Sequence, residues 1–153
     1  MKLQGFTDAD WAGSPSDRKS TSGGIFSIGS TTVSWYNRKQ SPVALSSTEE
    51  KYMVESQATC EAIWMRKILV GLFGQRMDLT MIYCDNQICI KLSENPVFHV
   101  RPKNIDIRYH HLIDCVLRWI MLLDIIPTKE QDANILTKVL PRCKFEFHRD
   151  RIG

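Results

Sequence analysis

Apolar positions fall in short runs through the first 40 residues and then shift to a helical period. Residues 3–8 form a brief, partly apolar stretch ending on an acid, which predicts a strand with Asp8 at its tip. Ala12 to Ser20 is polar and turn-rich, hence a loop. Ile25, Phe26 and Ile28, then Thr32, Val33, Ser34 and Trp35, are two β-prone runs separated by Gly29-Ser30, a hairpin pattern. From Ser46 the period changes. Ser46, Ser47 and Thr48 open a long helix with glutamates in its first turn, and Tyr52, Cys60, Ile63, Trp64, Ile68 and Leu69 recur at helical spacing. Gly71 or Gly74 ends that run. Leu79 to Cys84 predicts a compact strand, Asn86 to Leu92 a short helix stopped by Asn95-Pro96, and Phe98 to Asn104 a basic irregular connection. Ile105 to Trp119 predicts a helix, Ile120 to Ile126 a last strand, and Glu130 to Thr137 a last helix.

The resulting order, β-β-β-α-β-α-α-β-α, implies an α/β domain whose mixed sheet carries helices on its faces. At 153 residues the chain reads as one domain, 1–153, with ordinary hydrophobic and charged fractions of 43% and 24%. A net charge of +3 permits a nucleic-acid partner without requiring one. No apolar run approaches the roughly 18 residues of a membrane span, and Met1-Lys2-Leu3-Gln4 carries no secretory signal. Five cysteines (Cys60, Cys84, Cys89, Cys115, Cys143), odd in number and without a Cys-x-x-Cys pair, read as reduced core thiols of an intracellular protein. Trp35, Trp64 and Trp119 read as packing residues. Trp11 does too, unless its place beside an acidic loop makes it a stacking platform.

The candidate chemistry is acidic. Asp8 lies in Gly5-Phe6-Thr7-Asp8-Ala9-Asp10-Trp11-Ala12-Gly13, and Asp85 ends the apolar run Met81-Ile82-Tyr83-Cys84-Asp85-Asn86-Gln87. Carboxylates at the C-terminal ends of neighbouring strands stand where open α/β sheets bind ligands. Oxygen ligands converging from separate segments can hold two Mg²⁺ ions about 4 Å apart for phosphodiester hydrolysis. Arg18, Lys19 and Ser20, with Arg101, Lys103 and Arg108, are candidates for phosphate contacts.

These motifs follow one another in a specific order with Asp17-Arg18-Lys19-Ser20-Thr21-Ser22-Gly23, Ser46-Ser47-Thr48-Glu49, Asn95-Pro96-Val97-Phe98-His99, Ile105-Asp106-Ile107-Arg108-Tyr109-His110 and Glu130-Gln131-Asp132-Ala133-Asn134-Ile135-Leu136-Thr137-Lys138. From Gly5 to about Phe147 the chain resembles the ribonuclease H domain of copia-type LTR retrotransposon Pol polyproteins. The resemblance implies a ribonuclease H-like fold with three antiparallel N-terminal strands and two parallel additions. It further implies cleavage of RNA in RNA–DNA hybrids by four carboxylates with Mg²⁺ or Mn²⁺, a reverse transcriptase in the same polyprotein, and a cytoplasmic or virus-like-particle location. Asp8 and Asp85 match two metal ligands. Asp10 is either a further ligand or a loop acid, and His110 either a proton-transfer group or a surface histidine.

Two positions depart from the pattern. The helix of the family opens Ser-Ser-Thr-Glu-Ala-Glu-Tyr, whereas this one reads Thr48-Glu49-Glu50-Lys51-Tyr52, so Lys51 stands where the second ligand is expected. Asn134 stands where the fourth acid is expected. Glu50 lies about 100° around the helix from position 51, Glu55 one turn further along the same face, and Asp132 points away from Asn134. A lysine in place of a carboxylate turns attraction for a cation into repulsion worth several kcal/mol, by an estimate of about 4 kcal/mol for charges about 4 Å apart. The expectation is a hybrid nuclease whose activity is reduced or lost, or a nucleic-acid-binding descendant.

Overall fold

The computed structural model describes residues 1–10, 20–39, 47–85, 111–112, 114–116, 118 and 120–153; for residues 47–52 it gives the backbone alone. Strands β1 (Leu3–Asp10), β2 (Thr21–Ile28) and β3 (Thr31–Lys39) form an antiparallel meander. The β2–β3 turn is at Gly29, whose φ of 61° lies in the left-handed region that a glycine adopts without strain. Helix α1 (Ser47–Phe73) follows and is closed by Gly74, with φ 62°, whose N–H bonds the Val70 carbonyl. Strands β4 (Thr80–Cys84) and β5 (Met121–Ile125) complete a five-stranded sheet of order β3-β2-β1-β4-β5, the last two pairings parallel. The mixed sheet read from the sequence is thus the sheet observed.

The core lies between α1 and one face of this sheet. Leu3, Phe26, Ile82, Met121 and Leu123 meet Ala58, Ala62 and Met65, joined by Leu112 and Cys115. The buried stripe of α1 runs through Val54, Glu55, Ala58, Thr59 and Ala62. This corrects the expected helix face. Small side chains let the helix settle close to the sheet, while Trp64, Leu72 and Phe73 are exposed. Trp35 is also exposed, on the sheet face away from the core, so neither tryptophan is a core residue. Cys84 and Cys115 are buried thiols, but Cys60 and Cys143 are exposed rather than internal. Arg66 ties α1 to the start of β4, donating to Thr80 Oγ1 at 2.7 Å and to the carbonyls of Met77 and Asp78.

The chain end differs from expectation. Instead of one helix over 130–137, a 3₁₀ turn (Thr128–Glu130) leads to a single turn, α2 (Asn134–Thr137), and then to an unpredicted helix α3 (Arg142–Ile152). Pro141 separates the two helices because it lacks an N–H and fits the start of a helix. Helix α3 offers no continuous apolar stripe. It is held by polar anchors: His148 Nδ1 to Asp132 Oδ1 at 2.8 Å, Arg151 to Asp132 Oδ2 at 3.2 Å, and Thr32 Oγ1 to the Ile152 carbonyl at 2.9 Å.

Candidate functional site

The site is assembled where β1 and β4 part. Their parallel pairing runs from Gln4↔Met81 to Phe6↔Tyr83. Continued two residues, the same register would set Asp8 opposite Asp85, which lies at a bend just past β4. Strands in register sit about 4.8 Å apart and alternate side chains between faces, so a continued ladder would turn both acids to one side. Beyond the ladder Gln131, fully buried, takes over: its Nε2 donates to the Thr7 carbonyl at 2.9 Å and the Tyr83 carbonyl at 3.2 Å. Its Oε1 accepts from the Ala133 N–H at 3.3 Å. One amide therefore joins both strand ends to the α2 turn.

Gly23 is the cross-strand partner of Asp8, and this is what admits α2. A Cβ there would come within 2.9 Å of both Leu136 Cβ and Thr137 Cγ2, so any other residue would push the turn off the sheet. With glycine present, Thr137 Oγ1 donates to Asp8 Oδ2 at 2.6 Å and Lys138 Nζ lies 2.9 Å from the same oxygen. Lys138 also donates to Asn134 Oδ1 at 3.1 Å. Asn134 Nδ2 in turn donates to the Thr128 carbonyl at 2.8 Å, a bond no carboxylate could make. The Asp8 carboxylate is fully buried, and among the described residues it is met by the Lys138 ammonium.

The sequence candidates distribute as follows. Asp8, Asp85 and Asn134 come to one edge of the sheet, and Asp10, half-buried, is the last residue of β1. Position 51 lies in the first turns of α1, with backbone alone described. Ser20 is fully buried, which removes it from any surface a phosphate would touch. Arg18, Lys19, Arg101, Lys103, Arg108 and His110 lie outside the described residues. Asp132 is turned away from Asn134 and engaged by His148 and Arg151. Sequence reasoning passed over Gln131, Thr137 and Lys138 as working residues, although all three sit in the Glu130–Lys138 motif; the signal was the motif itself, not the chemistry of any one side chain.

Two Mg²⁺ ions need hard oxygen donors in number. Among the described residues no group of three or more His, Cys, Asp or Glu side chains gathers to hold a metal ion. The one carboxylate oxygen at the centre, Asp8 Oδ2, already meets a hydroxyl and an ammonium, and the amide of Asn134 is used at both ends. Among the described residues, the donors brought together do not fit a pair of divalent cations.

Comparison with known proteins gives the ancestry. A retrovirus-related Pol polyprotein from transposon TNT 1-94 of Nicotiana tabacum is 40% identical over 151 residues, covering 99% of this chain and 11% of the relative. One from transposon RE2 of Arabidopsis thaliana is 37% identical over 153 residues, covering 100% of this chain and 10% of the relative. The chain thus spans about a tenth of the length of these relatives. Among solved structures, LC11-RNase H1, isolated from compost by a metagenomic approach, superposes with a TM-score of 0.65 at 14% identity, over 88% of this chain and 91% of that one. LC11-RNase H1 in complex with an RNA/DNA hybrid gives 0.59 at 11% identity, over 88% and 92%. Identities this low speak for the fold. No protein-family model matches the chain. The chain has the ribonuclease H fold and belongs to the copia-type retrotransposon Pol family, as a ribonuclease H-like segment of those polyproteins.

Proposed function

We propose that residues 1–153 form one domain that binds RNA–DNA hybrids and hydrolyses them little or not at all. The observation that carries this reading is Asn134, where an acid is expected: its amide donates to the Thr128 carbonyl at 2.8 Å and accepts from Lys138 at 3.1 Å, while the Lys138 ammonium also lies 2.9 Å from Asp8. A fixed monovalent charge neutralises the central carboxylate, and the two positions that would draw divalent cations there are a lysine and an amide. Mg²⁺, when bound in this fold, would activate water and stabilise the leaving oxygen; among the described residues this chain offers Asp8 and Asp85 toward it, too few for that task. The hybrid is the expected partner because a relative of this fold is held in complex with one, and a reverse transcriptase in the same polyprotein is the expected neighbour. No helix among the described residues is long and apolar enough to cross a membrane.

The test is cleavage of an end-labelled RNA–DNA hybrid in Mg²⁺ and Mn²⁺ by the unaltered chain and by Lys51→Glu/Asn134→Asp. Cleavage by the revertant alone, with hybrid binding by both, is the expected result. Robust turnover by the unaltered chain would overturn it and point to Glu55. That carboxyl is 1% exposed, on the face of α1 that carries position 51 one turn earlier.

A further inference from the structure

A cavity adjoins the site. It measures about 810 Å³ and lies between the 3₁₀ turn, α2 and α3, sharing Asn134 and Lys138 with the acidic cluster. Small-molecule sites are concave, largely apolar and furnished with a few convergent polar groups, typically about 300–1,000 Å³. Here Leu140 and Phe147 supply apolar wall, and Lys129 and Lys144 stand at the lining. Neither of these lysines forms an ion pair among the described residues, whereas Lys138 is committed to Asp8. Glu130 is the acid of the lining, so the balance favours an anion.

Two further features make the cavity more than a basic hollow. His148 is 2% exposed, and its ring is fixed by the 2.8 Å bond from Nδ1 to Asp132. Its Nε2 makes no hydrogen bond among the described residues, and the ring lines the cavity. Phe147 is 48% exposed, with the Arg151 guanidinium 5.4 Å from its ring centre. An aromatic face backed by a cation suits a nucleobase, since stacking on such platforms is tolerant of base identity. We propose that this cavity binds the 5′-phosphomonoester of a nucleotide: the phosphate between Lys129 and Lys144 within reach of His148, the base against Phe147. A phosphomonoester carries about −1.5 to −2 charge at neutral pH, enough to engage both ammoniums at once. The site adjoins the Asp8 cluster, sharing Asn134 and Lys138 with it, but does not rest on the hybrid-binding reading.

Calorimetric titration of the full chain with AMP tests it, alongside adenosine and inorganic phosphate, with His148 imidazole resonances followed by NMR. The expected result is one AMP per chain with a Kd below about 1 mM, adenosine and phosphate each about tenfold weaker or worse, and shifted His148 signals. Lys144→Glu and Phe147→Ala, both at exposed positions outside the packed core, should each weaken AMP by about tenfold, the equivalent of about 1.4 kcal/mol. Adenosine binding as tightly as AMP, unchanged affinity in both variants, or AMP binding without any His148 shift would each overturn the assignment. A 5′-phosphorylated oligonucleotide that displaces AMP, where its 5′-hydroxyl form does not, identifies a strand end as the natural source. AMP binding without such displacement identifies a free mononucleotide. Hybrid binding, measured in parallel on the same variants, separates failure here from failure of the hybrid reading.

Discussion

Replacing Lys138 by methionine isolates the charge at the centre of the site. The substitution keeps the length and apolar stem of the side chain but removes the ammonium 2.9 Å from Asp8 Oδ2. At that distance and an effective dielectric near 20, Coulomb's law gives an attraction of roughly 5–6 kcal/mol. The net effect is smaller, because the Lys138 side chain is 33% exposed and its charge is partly screened. The Asp8 side chain, at 0%, is not, and removing one partner of a buried pair typically costs about 3–5 kcal/mol. Thr137, at 2.6 Å, still donates to Asp8 and offsets part of this. The expected loss is about 2–4 kcal/mol, or roughly 5–12 °C in Tm for a domain of this size. The assay is thermal unfolding with and without Mg²⁺. The parent should gain little from the cation, while Lys138→Met should recover stability as Mg²⁺ replaces the missing charge, by about 2.7 kcal/mol at 100 times its dissociation constant. Asp8→Asn/Lys138→Met completes a double-mutant cycle and should show a coupling of about 1–3 kcal/mol. A variant that melts with the parent, or a parent that gains as much from Mg²⁺ as the variant, would refute the reasoning.

Gln131→Ala should destabilise the domain by roughly 2–4 kcal/mol, because the Thr7 and Tyr83 carbonyls lose a buried donor; urea unfolding should show a lower midpoint at an unchanged slope. Tyr36 is buried, which pushes its phenol well above the usual range, with the nearby charge of Glu61 adding to the rise. The fold therefore retains a proton that the unfolded chain releases near pH 10, so stability is intact below about pH 10 and falls as pH rises beyond it, by up to about 1.4 kcal/mol per pH unit. Tyr36→Phe should abolish that alkaline loss and leave stability at pH 7 equal or higher, since the hydroxyl is buried without a hydrogen-bond partner among the described residues; paired urea titrations at pH 7 and 10.5 check both halves.

The strands were legible because their signals are local. Alternation marks β1 to β3, Gly29-Ser30 closes the hairpin, and short apolar runs mark β4 and β5. The long helix was legible in extent but not in orientation. Large apolar residues such as Trp64 attracted the reading, while the close approach of sheet and helix is set by Ala58 and Ala62. Helix α3 escaped notice for a different reason: its docking depends on Asp132, His148 and Arg151, and ion pairing between distant segments leaves no periodic trace. The site divides in the same way. Asp8 and Asp85 stand in recognisable motifs at strand ends, whereas the Lys138 contact exists only because Gly23, on another strand, leaves room for α2. Ser20 shows the converse, a hydroxyl in a basic loop motif that the fold buries.

The central position of β1 also sets the timetable of folding. Its neighbour β2 follows at once, but its other neighbour, β4, is synthesised only after all of α1. Thr137 then meets Asp8 across 129 residues, and Gln131 meets Thr7 across 124. Contacts so distant in sequence close late and slow the search for the native state. Asp8 thus draws its Thr137 and Lys138 contacts from segments about 130 residues further along the chain. Interactions that close so long a loop are expected to form after the folding barrier. Strengthening them should then lengthen the lifetime of the folded state more than it hastens its formation.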